Sequence, residues 1–312
     1  MNPISEIFLS ICIPTNGRIE ILKKTLDSIY DDCEVNYLDF EVILSDNSTN
    51  NELVLLLESY KKYPNIVYSK TTCEGFLNSA NALKMGNGLF LKLHNNYTIL
   101  NKGSLSQMIS FIKANKNIEP LVFFTNGHLN EHDIKLFDSF DLFSSKLSYW
   151  NSWSTGFSMW KKDLDKYSNE ELNPMFPQTS LLLLLSNKKT FVINDITLFN
   201  NQEVPRKGGY NLFKTFCIDY LSIINEAKQK KIITLNTFKK IKKDLFYNYL
   251  VISYYNTKIK QNDYTFELLD IRKSVAPNYS ISHYYLLVFL AYFTAFKISL
   301  REKLVEMKII KD

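Results

Sequence analysis

Short apolar runs alternate with stretches of helical spacing over the first hundred residues. Residues 7–14 (IFLSICIP) form a run rich in β-branched side chains, and 40–44 (FEVIL) and 88–93 (GLFLKL) are similar. Between such runs, apolar residues recur at the spacing of one helix face, as in 18–30. The pattern predicts strands over 7–14, 40–44, 65–69 and 88–93, and helices over 18–30, 52–60 and 75–84. This alternation indicates an α/β fold, with a mostly parallel sheet and helices on both faces.

The pattern changes towards the carboxyl terminus. We expect a helix at 104–115, a strand at 120–125, irregular chain over 127–156, a helix at 178–185 and a strand at 190–196. Arg206-Lys207-Gly208-Gly209 is a strong helix and strand breaker, so we place a domain boundary after residue 207. Beyond it only helices are predicted, at 211–230, 235–257, 262–273 and 282–307. The sequence thus predicts an α/β domain, 1–207, and an α-helical domain, 208–312.

Charge is divided unevenly between these domains. Residues 208–312 hold 17 Lys and Arg against 9 Asp and Glu, a net charge of +8, and the whole chain carries +5, which leaves −3 for 1–207. A basic domain favours an anionic partner, either a membrane surface or a lipid pyrophosphate. Nucleic acid is not expected, because no recognition motif accompanies the charge.

Two segments of the basic domain bear on membranes. Residues 239–249 interleave lysines with Phe246, Tyr247 and Tyr249, which suits a lipid interface or, alternatively, an ordinary helix with a solvated basic face. The longest uncharged apolar run, 283–296, is shorter than the roughly 20 residues that span a bilayer. We therefore expect a buried or interface-lying helix there, and an oligomer contact is the other role open to this domain.

The compartment is suggested by the amino terminus and the cysteines. Residues 1–6 lack the basic and apolar regions of a secretory signal. The cysteines, Cys12, Cys33, Cys73 and Cys217, form no CxxC pair and no zinc-type spacing. We expect reduced thiols in a cytoplasmic protein, peripheral on the inner face of the plasma membrane if the basic domain binds lipid.

Ligands of open parallel sheets bind beyond the carboxyl ends of the strands. That rule points to the loops Thr15–Arg18, Asp46–Asn50 and His94–Thr98. A carboxylate at a strand end can accept a hydrogen bond from the N3–H of uracil or thymine. Asp46 is the candidate for that role, and the alternative is a turn residue with no ligand.

The order of these segments resembles the family 2 glycosyltransferases of GT-A fold, a Rossmann-like class. The resemblance lies in LSICIPTNGR (9–18), a helix, and then FEVILSDNS (40–48). It implies that Pro14, Thr15 and Arg18 line the base and ribose pocket and that Asp46 reads the base. The chain departs from the family where Asn-Gly replaces the commoner Tyr-Asn.

The resemblance continues into 75–88. GFLNSANAL, followed by Gly88, is similar to the family segment that precedes the metal motif. It implies that Asn81 faces the ribose and diphosphate. The alternative is an ordinary amphipathic helix.

The metal motif is where the chain departs most from the family. GT-A enzymes normally end the fourth strand in Asp-x-Asp, which holds Mg²⁺ or Mn²⁺ against the donor diphosphate. This chain has His94-Asn95-Asn96 there, and no carboxylate lies between Glu74 and Glu119. We expect little or no metal binding at this position, with these three side chains contacting sugar or phosphate directly. Lys, Arg, backbone N–H groups or an unusually held metal must then meet the leaving charge; Arg18, Lys92 and Lys102 are the nearby cations.

The general base of an inverting transfer is not evident from the sequence. Family 2 enzymes usually carry an acidic pair at the start of a helix, where this chain has Gln178-Thr179. Glu170, Glu171 and Asp133 are weak candidates, and each also fits a solvated surface carboxylate.

Acceptor binding is predicted at WSTGFSMW (153–160). Trp153 and Trp160 can stack on sugar C–H faces, with Gln178 nearby, or can fill the core instead. His128, His132 and His283 show no partner pattern and are taken as structural.

The family resemblance implies an inverting transfer of a sugar from a nucleotide sugar, UDP- or dTDP-linked, to a glycan or polyprenyl-linked acceptor. The segment 206–211 also resembles enzymes of bacterial capsule, O-antigen and teichoic-acid synthesis. The alternative is a catalytically degenerate GT-A protein that binds a nucleotide or glycan, since acidic residues are missing at two positions. A nucleotidyltransferase is disfavoured, because the Gly-rich basic signature is absent.

Overall fold

The computed structural model describes residues 6–31 and 35–306. It divides into two compact units, Met1–Val204 and Pro205–Asp312. Of the cysteines, Cys12, Cys73 and Cys217 are free, and Cys33 lies outside the described residues.

The first unit alternates strands and helices along most of its length. Its strands are β1 (Leu9–Thr15), β2 (Phe40–Asp46), β3 (Ile66–Lys70), β4 (Phe90–Leu93), β5 (Thr98–Leu100), β6 (Leu121–Phe124), β7 (Ile134–Phe137), β8 (Ser158–Trp160), β9 (Phe191–Asn194) and β10 (Phe199–Asn201). Its helices are α1 (Ile19–Tyr30), α2 (Glu52–Glu58), α3 (Asn78–Met85), α4 (Ser104–Asn115), α5 (Phe140–Leu147), α6 (Lys161–Lys166) and α7 (Pro177–Leu184). The strands and helices predicted before residue 125 are all present, with ends shifted by a few residues.

The main sheet has the order β3-β2-β1-β4-β8, parallel except for β8. Alternate residues of β1, namely Leu9, Ile11 and Ile13, enter a core built with α1 and α4. The residues between them point to the opposite face, where α3 packs against β1 and β2. The predicted α/β class with a mostly parallel sheet is confirmed.

The expectation of irregular chain over 127–156 is wrong in part. This stretch contains β7 and α5, and β7 joins a second sheet of order β6-β9-β7. Phe143 and Phe191 pack between α5 and this sheet, with ring centroids 5.5 Å apart. The segment is predominantly polar, so its short amphipathic elements give too weak a periodic signal to predict.

A glycine lets the second sheet meet the loop before β8. A Cβ on Gly156 would come within 2.2 Å of the Phe123 ring and 2.7 Å of the Phe124 carbonyl oxygen. Phe123 and Phe157 form a bridge at the same place. Residues 154–156 are therefore held directly against β6.

The second unit is mostly helical but contains a strand pair that the sequence analysis missed. Its elements are β11 (Gly208–Asn211), α8 (Leu212–Lys214), α9 (Leu221–Gln229), α10 (Leu235–Asp244), α11 (Val251–Tyr254), β12 (Thr265–Glu267), α12 (Ile271–Val275) and α13 (Ile281–Glu306), with π-helical turns at 215–220, 245–250 and 255–259. β11 and β12 pair in parallel. The helix predicted at 262–273 is therefore wrong in its first half.

Burial in the second unit corrects two further expectations. Phe246 is buried against Tyr279, so it does not belong to a lipid-facing surface. The helix predicted at 282–307 is α13, and of its residues only Leu287 and Ala291 are buried. A fully buried helix is therefore excluded. By length and composition α13 could also cross a membrane.

Candidate functional site

The carboxyl ends of β1, β2 and β4 meet at one edge of the main sheet. Thr15, the last residue of β1, lies directly beside Asp46, the last residue of β2. The fourth-strand loop begins next to them, because the N–H of His94 donates to the Cys12 carbonyl at 2.9 Å. The structure thus brings the three predicted ligand loops together.

The first and third of these loops are joined by side chains. Asn96 donates through Nδ2 to Thr15 Oγ1 at 3.0 Å, and the Thr25 hydroxyl donates to the Asn96 carbonyl at 2.9 Å. Both Thr15 and Asn96 are buried. They therefore hold the loops in position, and their predicted direct contact with a donor is replaced by this supporting role.

Asp46 is enclosed by donors at the end of β2. Its carboxylate accepts the Ser48 N–H at 2.9 Å and pairs with Lys70 Nζ at 3.0 Å. Lys70, at the end of β3, also reaches the Ser48 hydroxyl and the Asn50 carbonyl. Asp46 is fully buried while Lys70 is partly exposed. The Lys70 side chain therefore lies between the carboxylate and solvent.

Asn81 and Asn78, on α3, both bind Ser45 beside Asp46. Asn81 Nδ2 donates to Ser45 Oγ at 2.8 Å, and Ser45 Oγ donates to Asn78 Oδ1 at 2.6 Å. Asn78 also donates to the Ser45 carbonyl at 2.9 Å. Asn78 was missed by sequence reasoning. Two asparagines one helical turn apart are the signal that could have identified it.

His94 does not face the ligand edge. It is 1% exposed, and its Nε2 lies 2.9 Å from the Thr98 carbonyl, to which it donates. Burial lowers the pKa of His94 to about 3, so the imidazole is neutral. The prediction that His94 contacts sugar or phosphate is therefore wrong.

Lys92 is likewise excluded as a phosphate ligand. It is 1% exposed on β4, where its ammonium donates to the carbonyls of Leu93 at 3.1 Å and Thr155 at 2.8 Å. Burial lowers its pKa to about 7. Its geometry makes it a clamp between the fourth strand and the loop that contains Thr155.

Of the three residues His94, Asn95 and Asn96, Asn95 connects the end of β4 to the loop that precedes β8. It accepts the Ser154 hydroxyl at 2.9 Å and donates to the Tyr97 hydroxyl at 2.8 Å. Arg18, exposed at the amino end of α1, lies close enough that its charge partly opposes the rise in the Tyr97 pKa that burial causes. Arg18 is the exposed cation beside the Asp-x-Asp position, and Pro14 precedes it as a half-buried strand-end residue.

This position does not fit a divalent cation. The Nε2 of His94 is engaged by Thr98, and the amide oxygen of Asn95 already accepts the Ser154 hydroxyl. Over 6–31 and 35–306, no group of three His, Cys, Asp or Glu side chains could hold a metal ion. The residues here offer neutral and already engaged groups, so no chemistry of this site is derived through Mg²⁺ or Mn²⁺.

The predicted acceptor residues separate in the structure. Trp160 is 2% exposed, with its indole N–H donated to the Pro120 carbonyl, so it is a core residue and the acceptor role is wrong. Gln178 is buried and donates to the Ser152 carbonyl at 2.6 Å. Thr179 donates similarly to the Asn151 carbonyl at 3.1 Å. The first residues of α7 therefore hold the backbone of Asn151 and Ser152 in place. Gln178 is used in this contact and does not reach an acceptor.

Trp153 keeps the predicted location, in a half-buried aromatic cluster with neighbours that the sequence did not identify. Trp150 lies 5.7 Å from it, and His128 stacks on Trp150 at 4.4 Å with an interplanar angle of 11°. We expected a structural role for His128, but His128 is exposed. We call His128, Trp150 and Trp153 the aromatic cluster.

The weak candidates for the general base are surface groups. Glu170 and Glu171 are exposed between α6 and α7, and Asp133 is exposed and lies 3.5 Å from Lys135 Nζ. No contact among the described residues ties these carboxylates to Asn95 or to the aromatic cluster. The structure gives them no catalytic setting.

Two cavities of about 300 and 310 Å³ lie away from the loops that follow β1, β2 and β4. The first is lined by residues such as Met108, Phe111 and Ile196, and the second by residues that include Trp160 and Lys161. Neither includes Asp46 or Asn95, so the strand-end residues lie outside both cavities.

Sheet order, the ligand edge at the ends of β1, β2 and β4, and the helical second unit together define a GT-A fold. Residues 10–167, about half of the chain, match the profile described as "Glycosyl transferase family 2". The chain belongs to this family and is a glycosyltransferase. No curated protein sequence matches it at a significant level.

Solved structures show the same fold at low sequence identity. S. aureus TarS 1–349 in complex with UDP-GlcNAc has a TM-score of 0.58 and 18% identity, over 86% of this chain and 78% of that one. The mannosyltransferase PcManGT from Pyrobaculum calidifontis, in complex with GDP-Man and Mn²⁺, has a TM-score of 0.54 and 12% identity, over 95% of this chain and 80% of that one. These similarities support the fold.

Proposed function

We propose that the protein transfers a sugar, with inversion, from a UDP- or dTDP-sugar to a glycan or polyprenyl-linked acceptor. The observation that carries the proposal is the pairing of Thr15 with Asp46 at the strand ends, beside Asn96. A buried carboxylate there can accept the N3–H of uracil or thymine, which guanine and cytosine do not offer in the same way. Binding of UDP-GlcNAc by the structurally similar TarS supports this choice of nucleotide.

Charge on the leaving diphosphate is met by Arg18 in this proposal. Arg18 is exposed at the amino end of α1, where the helix dipole also favours an anion. A guanidinium can bind two phosphate oxygens at once. Metal-independent transfer is therefore part of the proposal, supported by the poor fit of residues 94–96 to a cation.

One assay tests this function. The protein is incubated with UDP-, dTDP-, CDP- and GDP-sugars, with EDTA or Mn²⁺, and both thermal shift and nucleotide release are measured. We expect stabilisation and slow nucleotide release with UDP- or dTDP-sugars in EDTA. Binding without release, even with acceptor present, would leave a binding protein; strict dependence on Mn²⁺ would refute the metal-independent step.

We further propose that α13 lies on an anionic bilayer, which places the enzyme peripherally at the inner face of the plasma membrane, in surface-polysaccharide synthesis. One face of α13 is apolar and exposed: Ile281, Tyr285, Phe289, Tyr292, Phe293, Phe296 and Leu300. We call this face the α13 stripe. Leu287 and Ala291, on the other side, are buried where α13 packs against α11 and α12.

Cations flank the α13 stripe. Lys297 Nζ lies 4.6 Å from the Phe293 ring centroid, and Arg272 lies 6.0 Å from that of Tyr285. Anionic headgroups complement these charges, whereas a second copy of a unit of the same strong positive charge would repel them. Since α13 packs on protein along one side, an orientation parallel to the bilayer fits better than a span.

A further inference from the structure

The loop between β6 and β7 is constrained far beyond an ordinary surface loop. Within residues 125–132, Asn126, Asn130 and His132 have positive φ of 51–56°, and Gly127 has φ of 81°. Such left-handed backbone is unfavourable for non-glycine residues and persists where surrounding contacts impose it.

Asp195, just after β9, imposes that conformation. Its buried carboxylate accepts the Thr125 hydroxyl at 2.6 Å and the N–H groups of Leu129, Glu131 and His132 at 3.2, 2.8 and 3.2 Å. These hydrogen bonds lower the pKa of Asp195 despite its burial, so the carboxylate stays charged. Its acceptor sites serve the loop, which makes Asp195 a positioning residue.

The loop so positioned presents His128 to the aromatic cluster. Its ring stacks on Trp150 and meets Trp153 edge-on, with centroids 5.2 Å apart. Among the described residues, neither ring nitrogen of His128 has a hydrogen-bond partner. The indoles desolvate the ring in part, which lowers its pKa, and the charge of Asp195 partly opposes that shift. The ring therefore packs on two indoles and is available to accept a proton.

The aromatic cluster is connected to the donor edge. Trp153 is followed by Ser154, which donates to Asn95, and by Thr155, which accepts the Asn95 N–H at 3.3 Å. The cluster is also supported by Gln178 and Thr179, which stand where the family resemblance would place an acidic base. His128 thus packs on the tryptophans of the segment whose backbone Gln178 and Thr179 support.

Resting on the proposed function, we propose that His128 is the general base of the transfer. Its free ring nitrogen takes the proton of the acceptor hydroxyl as that oxygen forms the new bond to the anomeric carbon. The bond from the anomeric carbon to the diphosphate oxygen breaks, and the nucleoside diphosphate leaves with the electron pair. Imidazolium then returns its proton to solvent.

Two matched substitutions test the proposal, with water as the acceptor. His128→Asn removes the base, whereas His132→Asn changes another exposed histidine of the same loop at a left-handed position that Asn tolerates. UDP release from UDP-glucose and UDP-GlcNAc is measured alongside binding by thermal shift. We expect His128→Asn to bind the donor normally. Its rate of UDP release should be at least about 100-fold lower than that of the wild type. His132→Asn should match the wild type.

The pH profile separates base from scaffold. Wild-type release should fall at acid pH with a midpoint below 6.5, the ordinary histidine value, and His128→Asn should lose that limb. Equal rates in the wild type and His128→Asn, zero included, with donor binding intact would overturn the inference. Absence of donor binding in the wild type would instead refute the proposed function. A variant that loses binding and thermal stability together would show that His128 only supports the loop.

Discussion

Lys70 covers the carboxylate of Asp46, with Nζ and Oδ2 3.0 Å apart at the ends of neighbouring strands. The pair joins a fully buried anion to a partly exposed cation, and the Tyr68 hydroxyl donates to the same Oδ2 at 3.3 Å. A pyrimidine that donates its N3–H to Asp46 must displace Lys70 or lie beside it. The carboxylate is therefore pre-positioned, with Lys70 between it and solvent.

Replacing Asp46 by Asn should abolish selective binding of uridine nucleotides. The Asn oxygen can still accept the Ser48 N–H, but its nitrogen then faces the base and cannot accept from N3–H. A hydrogen bond to a charged acceptor contributes about 1.5–3 kcal/mol, so UMP affinity should fall about 10- to 100-fold and the preference for UMP over CMP should disappear. Titration calorimetry measures both. Asp39→Asn, which removes a carboxylate from an exposed ion pair with Lys113 at the other end of β2, should change neither affinity. Unaltered UMP binding by Asp46→Asn would make Asp46 a turn residue.

Replacing Arg18 by Gln should weaken binding of UDP much more than binding of UMP. The guanidinium is proposed to contact the diphosphate, so UDP affinity should fall about 10-fold or more in EDTA while UMP affinity is nearly unchanged. Lys24→Gln removes another exposed cation of the same helix and is the control. Parallel losses for the two nucleotides would place Arg18 at the base or ribose, and no loss would remove it from the site.

Lys92 should make the folded protein more stable as pH rises from about 7 towards 10. Its pKa is about 7 in the fold against an ordinary 10.5, so in this window the unfolded chain binds a proton that the folded chain does not. Stability from this group increases by up to about 1.4 kcal/mol per pH unit and is constant below pH 7, where both states are protonated. Between pH 7 and 9 the free energy of unfolding of the wild type should therefore rise steadily relative to that of Lys92→Met.

Thermal and urea unfolding at pH 6.5, 7, 8 and 9 measure that difference. Lys189→Met, at an exposed lysine, should give a profile parallel to the wild type. If Lys92→Met is also parallel, the ammonium is hydrated in solution and is not the clamp between Leu93 and Thr155.

The α13 stripe should bind anionic vesicles. Phe289→Ser, Phe293→Ser and Phe296→Ser together remove three exposed rings without touching the buried side of the helix. This variant should lose most of its co-sedimentation with phosphatidylglycerol vesicles, and wild-type binding should weaken with salt and be small on phosphatidylcholine. Leu235→Ser with Leu269→Ser removes exposed apolar groups elsewhere in the same unit and should bind normally. If the stripe variant instead turns a dimer into a monomer in light scattering, a second copy is the occupant.

Much of the fold follows from local pattern. The β-branched runs 9–15 and 40–46 are continuous because parallel strands are buried on both faces, and period-3.6 spacing over 19–30 follows from one helix face meeting the core. These signals are short in range, so sequence alone predicted the parallel strands β1 to β4 and the loops that follow them. The sequence also shows directly that no carboxylate stands at 94–96 or at 178–179.

Which side chains face the ligand edge was decided only by tertiary contacts. His94 turns inward because Thr98 and Phe199 receive it, and Trp160 is in the core because Pro120 and Phe90 surround it. Asp195 shapes a loop about 65 residues earlier in the chain. Burial and long-range hydrogen bonds depend on chain segments that no local period connects, so neither the orientation of these side chains nor the placement of His128 could be predicted from the order of residues.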